Sequence, residues 1–212
     1  LKKKLIRKSK TELIPGSGVD LNKFKFVPIG KNKKKFVFLL VARLLKDKGI
    51  YEYIEAIRII KKKYPNKQIE FQILGEANPK NKTAVLKSEL DEWINQNLIN
   101  YLGTSDSVER VIEDCHCLIL PSYREGMPRS ILESFAIGRP VIASDVPGCR
   151  EIVEHNINGL LCKVKSSDDL SKKMLSMLSM SNEERIILGK NGRKKVESFF
   201  DEEIVFEKYL KA

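Results

Sequence analysis

Histidine is almost missing from this chain: His116 and His155 are the only two in 212 residues. One lies in an apolar run and the other in the Glu154-His155-Asn156 turn, and neither position marks a catalytic group. Cysteine is nearly as scarce. Cys115, Cys117, Cys149 and Cys162 form no Cys-x-x-Cys pair and sit in or beside apolar runs, so reduced core thiols are expected rather than a disulfide framework. The triplet Cys115-His116-Cys117 fits no common zinc spacing, and on a strand its two thiols share one face with His116 opposite. No stretch reaches the roughly 18 to 20 consecutive apolar residues of a membrane span. The charged opening also lacks the apolar centre of a signal peptide, so a soluble, cytosolic protein is expected. Residues 1–10 begin without an initiator Met and read as part of something longer.

What the chain has in excess is lysine. The formal charge is +11, yet residues 1–67 hold 20 Lys and Arg against 5 Asp and Glu, while residues 68–212 hold 19 against 23. The basic excess therefore belongs to the first third. Lys2-Lys3-Lys4, Lys33-Lys34-Lys35 and Lys61-Lys62-Lys63 suit nucleic acid, an anionic membrane or a phosphorylated ligand, or simply a solvated surface. No nucleic-acid motif accompanies them, and the aromatics are not spaced as a stacking face.

With 42% hydrophobic residues the chain can bury one ordinary core, and one domain over residues 1–212 is expected. Strand-like runs at 12–14, 36–41, 69–74, 99–102, 117–120, 141–143 and 160–162 alternate with helical stretches at 51–63, 87–96, 108–114, 168–180 and 182–199. A short last segment covers 201–211. This alternation predicts an α/β fold, a Rossmann-like doubly wound parallel sheet with helices on both faces. Trp93, on an amphipathic stretch, is expected to anchor the core or its edge.

The chemistry concentrates where strands end. After the run at 36–41, Arg43 and Lys48 stand in a loop at the strand's carboxyl end, where ligands of open α/β sheets bind. Two fixed cations there either clamp a diphosphate and stabilise the charge it gains on leaving, or are surface charges of a lysine-rich protein. After the run at 117–120, Glu125-Gly126-Met127-Pro128 leads into a helix near Pro128, with Glu133 in its second turn. The free backbone N–H groups of residues 129–131 are expected to face an anion, with a carboxylate on each side to accept from hydroxyls. A paired-carboxylate glycosidase is the competing use of such residues. The anion site between them favours a nucleoside diphosphate sugar.

Glu125 and Glu133 fit an E-x7-E pattern, and the chain resembles the family-4 retaining glycosyltransferases of GT-B architecture, most of all their capsule and lipid-linked oligosaccharide branch. The resemblance runs through Pro15-Gly16-Ser17-Gly18-Val19-Asp20, Arg43 with Lys48-Gly49, Leu74-Gly75, Tyr101-Leu102-Gly103, Leu120-Pro121-Ser122, Gly138-Arg139-Pro140-Val141, Asp145-Val146-Pro147-Gly148 and Asn158-Gly159-Leu160. It implies that the chain is one half of such an enzyme, the domain that binds a UDP-sugar. The partner N-terminal domain would hold a lipid-linked glycan acceptor, and residues 201–212 would begin the helix crossing back to it.

The resemblance also implies roles. Arg43 and Lys48 would hold the pyrophosphate in place of a metal, so no cofactor is expected. Glu133 would bind the ribose, and Glu125 hydroxyls of the transferred sugar. Gly75, Leu102 and Gly103 would lie near the base, the run Gly126, Met127, Pro128, Arg129 and Ser130 over sugar and phosphates, and Gly18 in the donor site. Transfer would retain anomeric configuration, the leaving phosphate assisting the incoming hydroxyl on the same face. Many relatives read Glu-Gly-Phe-Gly where this chain has Glu125-Gly126-Met127-Pro128, and Pro128 has no N–H to donate. Arg129 either reaches a donor-sugar substituent or forms a salt bridge on the helix surface. A UDP-sugar 2-epimerase of the same architecture and a basic nucleic-acid-binding module are the alternatives. The early lysines suit peripheral contact with the anionic inner face of the cytoplasmic membrane.

Overall fold

The computed structural model describes residues 16–30, 35–65, 67–77 and 80–211. Six strands, β1 (Phe36–Val41), β2 (Ile69–Leu74), β3 (Asn100–Tyr101), β4 (Cys117–Leu120), β5 (Val141–Ser144) and β6 (Gly159–Cys162), form one sheet in the order β3-β2-β1-β4-β5-β6. Every pairing is parallel, with Leu39 opposite Leu118 where β1 meets β4. The order runs outward from β1 in both directions, so the crossovers diverge between β1 and β4 and leave a crevice at their carboxyl ends.

Between the strands lie α1 (Ile50–Lys63), α2 (Lys87–Asn95), α3 (Val108–Glu113), α4 (Arg129–Ile137) and α5 (Pro147–Ile152), followed after β6 by α6 (Ser167–Ser179), α7 (Asn182–Phe199) and α8 (Glu202–Lys211). Strands buried on both faces carry continuous apolar runs such as Cys117 to Leu120, all four residues being buried. Two cores result. Phe38, Ile54, Ile57, Phe71 and Met174 fill the face covered by α1 and α6, whereas Leu39, Leu118, Ile131, Phe135 and Val196 fill the face covered by α4 and α7. At about 1.5–3 kcal/mol for each large side chain removed from water, these two layers dominate the fold's stability.

The expected strand at 12–14 lies outside the described residues, as do Lys2-Lys3-Lys4 and Lys33-Lys34. The run at 99–102 shortens to Asn100–Tyr101, since it pairs on one side only, to β2. The helical stretches expected from the sequence do not include α5. Pro147 stands at its first turn, where a fixed φ suits a helix start, and Cys149 and Ile152 supply the buried face. All four cysteines are free and buried, and Trp93 is buried against Tyr51 edge-on. Cys115 precedes β4 rather than lying in it. Buried His116 instead accepts the Val37 backbone N–H at Nδ1 over 3.0 Å and stacks on Phe36. Among the described residues, no three His, Cys, Asp or Glu gather as metal ligands, and no helix is long and apolar enough to cross a membrane.

Candidate functional site

The crevice between β1 and β4 opens into a cleft of about 770 Å³ lined by Arg43, Lys48, Glu125, Pro128, Arg129, Ser130 and Glu133, with Lys23, Phe24, Ser105, Asp106 and Val108 on its far walls. Its position follows from local anchoring. After Val41, the backbone of Ala42 donates to Leu74 and that of Leu44 to Glu76, prolonging the ladder to β2. Leu44 and Leu45 are buried, which leaves Arg43 exposed at the strand's end. A short 3-10 turn at Lys46–Lys48 then closes at Gly49, whose φ of 71° is the left-handed conformation that glycine adopts without strain. A Cβ there would also stand 2.1 Å from the Pro121 carbonyl oxygen. The two loops that carry Lys48 and Glu125 are thus packed backbone on backbone.

Tyr123 reinforces that seam. Its N–H donates to the Asp47 carbonyl over 2.8 Å, and its hydroxyl donates to Glu52 Oε1 over 2.7 Å. Burial and the Glu52 carboxylate push the phenol well above its ordinary pKa, so it stays a donor. On the opposite side Gly148 meets the loop: a Cβ would lie 1.9 Å from the Gly126 carbonyl. The Glu125-Gly126 segment is therefore held between the end of β1 and the start of α5. The nearby Cys149 thiol is pushed up to about 12, by burial first and then by the Glu125 charge.

Two ion pairs line the cleft, one joining its two loops and one running along α4. Lys48 Nζ meets Glu125 Oε1 at 2.7 Å, and Arg129 Nη2 meets Glu133 Oε1 at 3.4 Å. Glu133 is only 9% exposed, and burial raises its pKa against the opposing pull of Arg129 and Lys23. Arg129 is largely exposed, and this pair is the salt bridge expected as one of its two uses. The Arg43 carbonyl accepts from the Leu45 N–H at 2.8 Å, but its guanidinium makes no hydrogen bond or ion pair to the described residues.

The structure thus gathers Arg43, Lys48, Glu125, Pro128, Arg129, Ser130 and Glu133 around one space. Others stand apart. Gly18 is buried against the start of α8, where Val19 and Phe200 pair their backbones at 2.9 Å. Gly126 is exposed, with its carbonyl against Gly148, and Met127 packs over Gly16. Gly75 and Gly103 bond to each other at 2.7 Å and, with Leu102, form the rim beyond Ala42 rather than the cleft wall. Pro128 is the N-cap of α4 instead of its first helical residue. The expected trio of free N–H groups is smaller, because Ile131 donates to the Pro128 carbonyl at 3.1 Å. Residues 129 and 130 remain. Ser105 and Asp106, which sequence reasoning passed over, follow Gly103 in a carboxyl-end loop and were open to discovery on that ground. Lys23 and Phe24 carry no such signal.

Residues 22–195 match the family model described as Glycosyl transferases group 1. This chain belongs to that family. It is 30% identical over 217 residues to the N,N'-diacetylbacillosaminyl-diphospho-undecaprenol alpha-1,3-N-acetylgalactosaminyltransferase of Campylobacter jejuni, covering 97% of this chain and 54% of the relative. It is 27% identical over 209 residues to the UDP-Gal:alpha-D-GlcNAc-diphosphoundecaprenol alpha-1,3-galactosyltransferase of Escherichia coli, covering 91% of this chain and 53% of the relative. The group 1 chain described here therefore spans about half the length of these curated relatives. Among solved structures, Anabaena Alr3699/HepE in complex with UDP and glucose superposes with a TM-score of 0.78 at 22% identity, over 92% of this chain and 54% of that one. The C-terminal domain of a glycosyl transferase group 1 family protein (LpcC) from Francisella tularensis superposes with a TM-score of 0.70 at 24% identity, over 87% of this chain and 99% of that one. At these identities the likeness establishes the fold.

Proposed function

We propose that this chain is the donor-binding domain of a retaining glycosyltransferase, holding a UDP-sugar for transfer of a hexose or N-acetylhexosamine to a lipid-linked glycan. The observation that carries the reading is the convergence of Arg43, Lys48, Glu125 and Glu133 on one cleft at the point where the strand order diverges. Arg43 and Lys48 take the diphosphate and stabilise the charge that develops as it leaves, a role in which no ion is required. The N–H groups of residues 129 and 130 face the same anion. Glu133 accepts from the ribose hydroxyls, and Glu125 from hydroxyls of the sugar. Ser105, Asp106 and Val108 stand at the nucleoside end.

The relatives support the chemistry: one is named for a UDP-galactose donor and both for undecaprenol-linked acceptors, and HepE is described in complex with UDP. The domain assignment is supported by the near-complete coverage of a chain described as a C-terminal domain. On this reading the acceptor half is a partner N-terminal domain and α8 leads toward it. Work on a lipid-borne acceptor would bring the protein to the inner face of the cytoplasmic membrane. The epimerase and nucleic-acid readings have no observation of their own in this geometry.

Thermal shift with UDP, GDP, ADP and an oligonucleotide tests the proposal. UDP stabilises the parent, and the shift disappears in Arg43→Ala and in Glu133→Ala. A salt-sensitive response to oligonucleotide alone would replace the transferase site with a nucleic-acid surface.

A further inference from the structure

We infer that the Lys48–Glu125 ion pair is an exchange switch that makes this cleft prefer the intact sugar donor over the spent nucleoside diphosphate. The inference rests on the proposed donor site and concerns how that site lets its product go.

Lys48 and Glu125 satisfy each other at 2.7 Å, and both side chains are largely shielded from solvent. Their backbones cannot separate. Gly49 abuts the Pro121 carbonyl, Tyr123 bonds to Asp47 and Glu52, and Gly148 closes on Gly126 from the other side. Lysine's flexible four-carbon stem can still turn its ammonium from Glu125 toward a phosphate, while the short Glu125 side chain on a locked loop cannot follow. Arg43, at the same end of the cleft, has no partner to give up among the described residues. The two cations are therefore unequal: Arg43 is committed to the ligand, whereas Lys48 is shared.

A nucleoside diphosphate alone draws Lys48 away and leaves a shielded carboxylate without its cation, a costly arrangement. A nucleoside diphosphate sugar offers hydroxyls to Glu125 in the same event, so both members of the pair are satisfied. When the sugar departs, those hydroxyls go with it. Glu125 then reclaims Lys48, and the nucleoside diphosphate loses one of its two cations. No covalent change is involved in the exchange.

Calorimetric titration of the full-length protein with UDP tests this by sign. Removing the charge in Glu125→Gln frees Lys48, so UDP binds on the order of fivefold tighter than to the parent, the equivalent of about one partly shielded ion pair. In a Lys48→Met background the same substitution gives no gain, because no shared cation remains. UDP binding that is unchanged or weaker in Glu125→Gln overturns the inference. So does a gain that persists undiminished in Lys48→Met, which is plain repulsion between carboxylate and phosphate. A parent that binds neither UDP, GDP nor ADP removes the donor site and the inference together, whereas UDP binding without the predicted gain removes the inference alone.

Discussion

The front and the rear of this domain both collect arginine, and they use it in opposite ways. At the rear, Arg139 is 1% exposed and donates to the carbonyls of Val27, Ile137 and Glu113, while Arg193 donates to those of Phe24 and Ala136. These guanidinium groups tie the segment before β1 to α4 and to the end of α3. At the front, Arg43 is exposed on a cleft wall with its donors unspent on the described residues. The sequence resemblance runs through both Arg43 and Gly138-Arg139-Pro140, so a match to a family pattern does not separate a ligand-binding cation from a structural one. What separates them is where the hydrogen bonds go.

The largest effect should come from breaking the rear. Arg139→Met leaves the Val27 and Glu113 carbonyls short of a donor, Ile137 keeping the Val27 N–H, and removes a buried charge matched to them, so chemical denaturation should show a loss of about 3 kcal/mol or more. UDP affinity of the protein that remains folded should be unchanged. The front should behave in the reverse manner. Arg43→Ala should alter stability by less than about 0.5 kcal/mol. It should nevertheless weaken UDP binding on the order of 10- to 100-fold, as expected for one or two hydrogen bonds to a charged group. Similar losses of stability in the two variants would erase the contrast.

Glu133 sharpens the comparison, because it is a buried group kept at the front. Burial raises its pKa above the unfolded value, so the folded state holds an extra proton in the interval between the two. Its contribution to stability therefore improves as pH falls through the folded-state value, and Glu133→Gln should flatten that dependence in thermal melts across acidic pH. Ribose binding needs the carboxylate and should weaken over the same interval. Arg129→Ala removes the first of the two cations that hold the value down, so the acid limb of UDP affinity should move to higher pH. The smallest effect belongs to Tyr123→Phe. Loss of its 2.7 Å bond to Glu52 should cost about 1 kcal/mol of stability and a few-fold in donor affinity, since the phenol positions the loop without touching ligand.

Legibility in the sequence divided along similar lines. The strands Phe36–Val41, Ile69–Leu74 and Cys117–Leu120 and the helix Asn182–Phe199 were readable to the residue, because each is a long apolar or amphipathic run with punctuated ends. The six-residue α5 was not, as it offers barely two turns of pattern behind a proline. Arg43, Lys48 and Glu125 were placed correctly in loops at strand ends, and Glu133 in the second turn of α4. Their pairing was hidden, since Lys48 and Glu125 are 77 positions apart and only packing brings them together. Lys23 and Phe24 reach the cleft from the other end of the chain's topology. Gly18, carried over from a motif, instead holds the chain to α8, a tertiary fact with no local sign.

A crystal structure of the protein with UDP bound tests the central claim most directly. The account predicts the diphosphate within hydrogen-bond reach of Arg43 and Lys48, and the ribose hydroxyls on Glu133. A diphosphate lodged away from the ends of β1 and β4, or a ribose that leaves Glu133 to Arg129 alone, would contradict it.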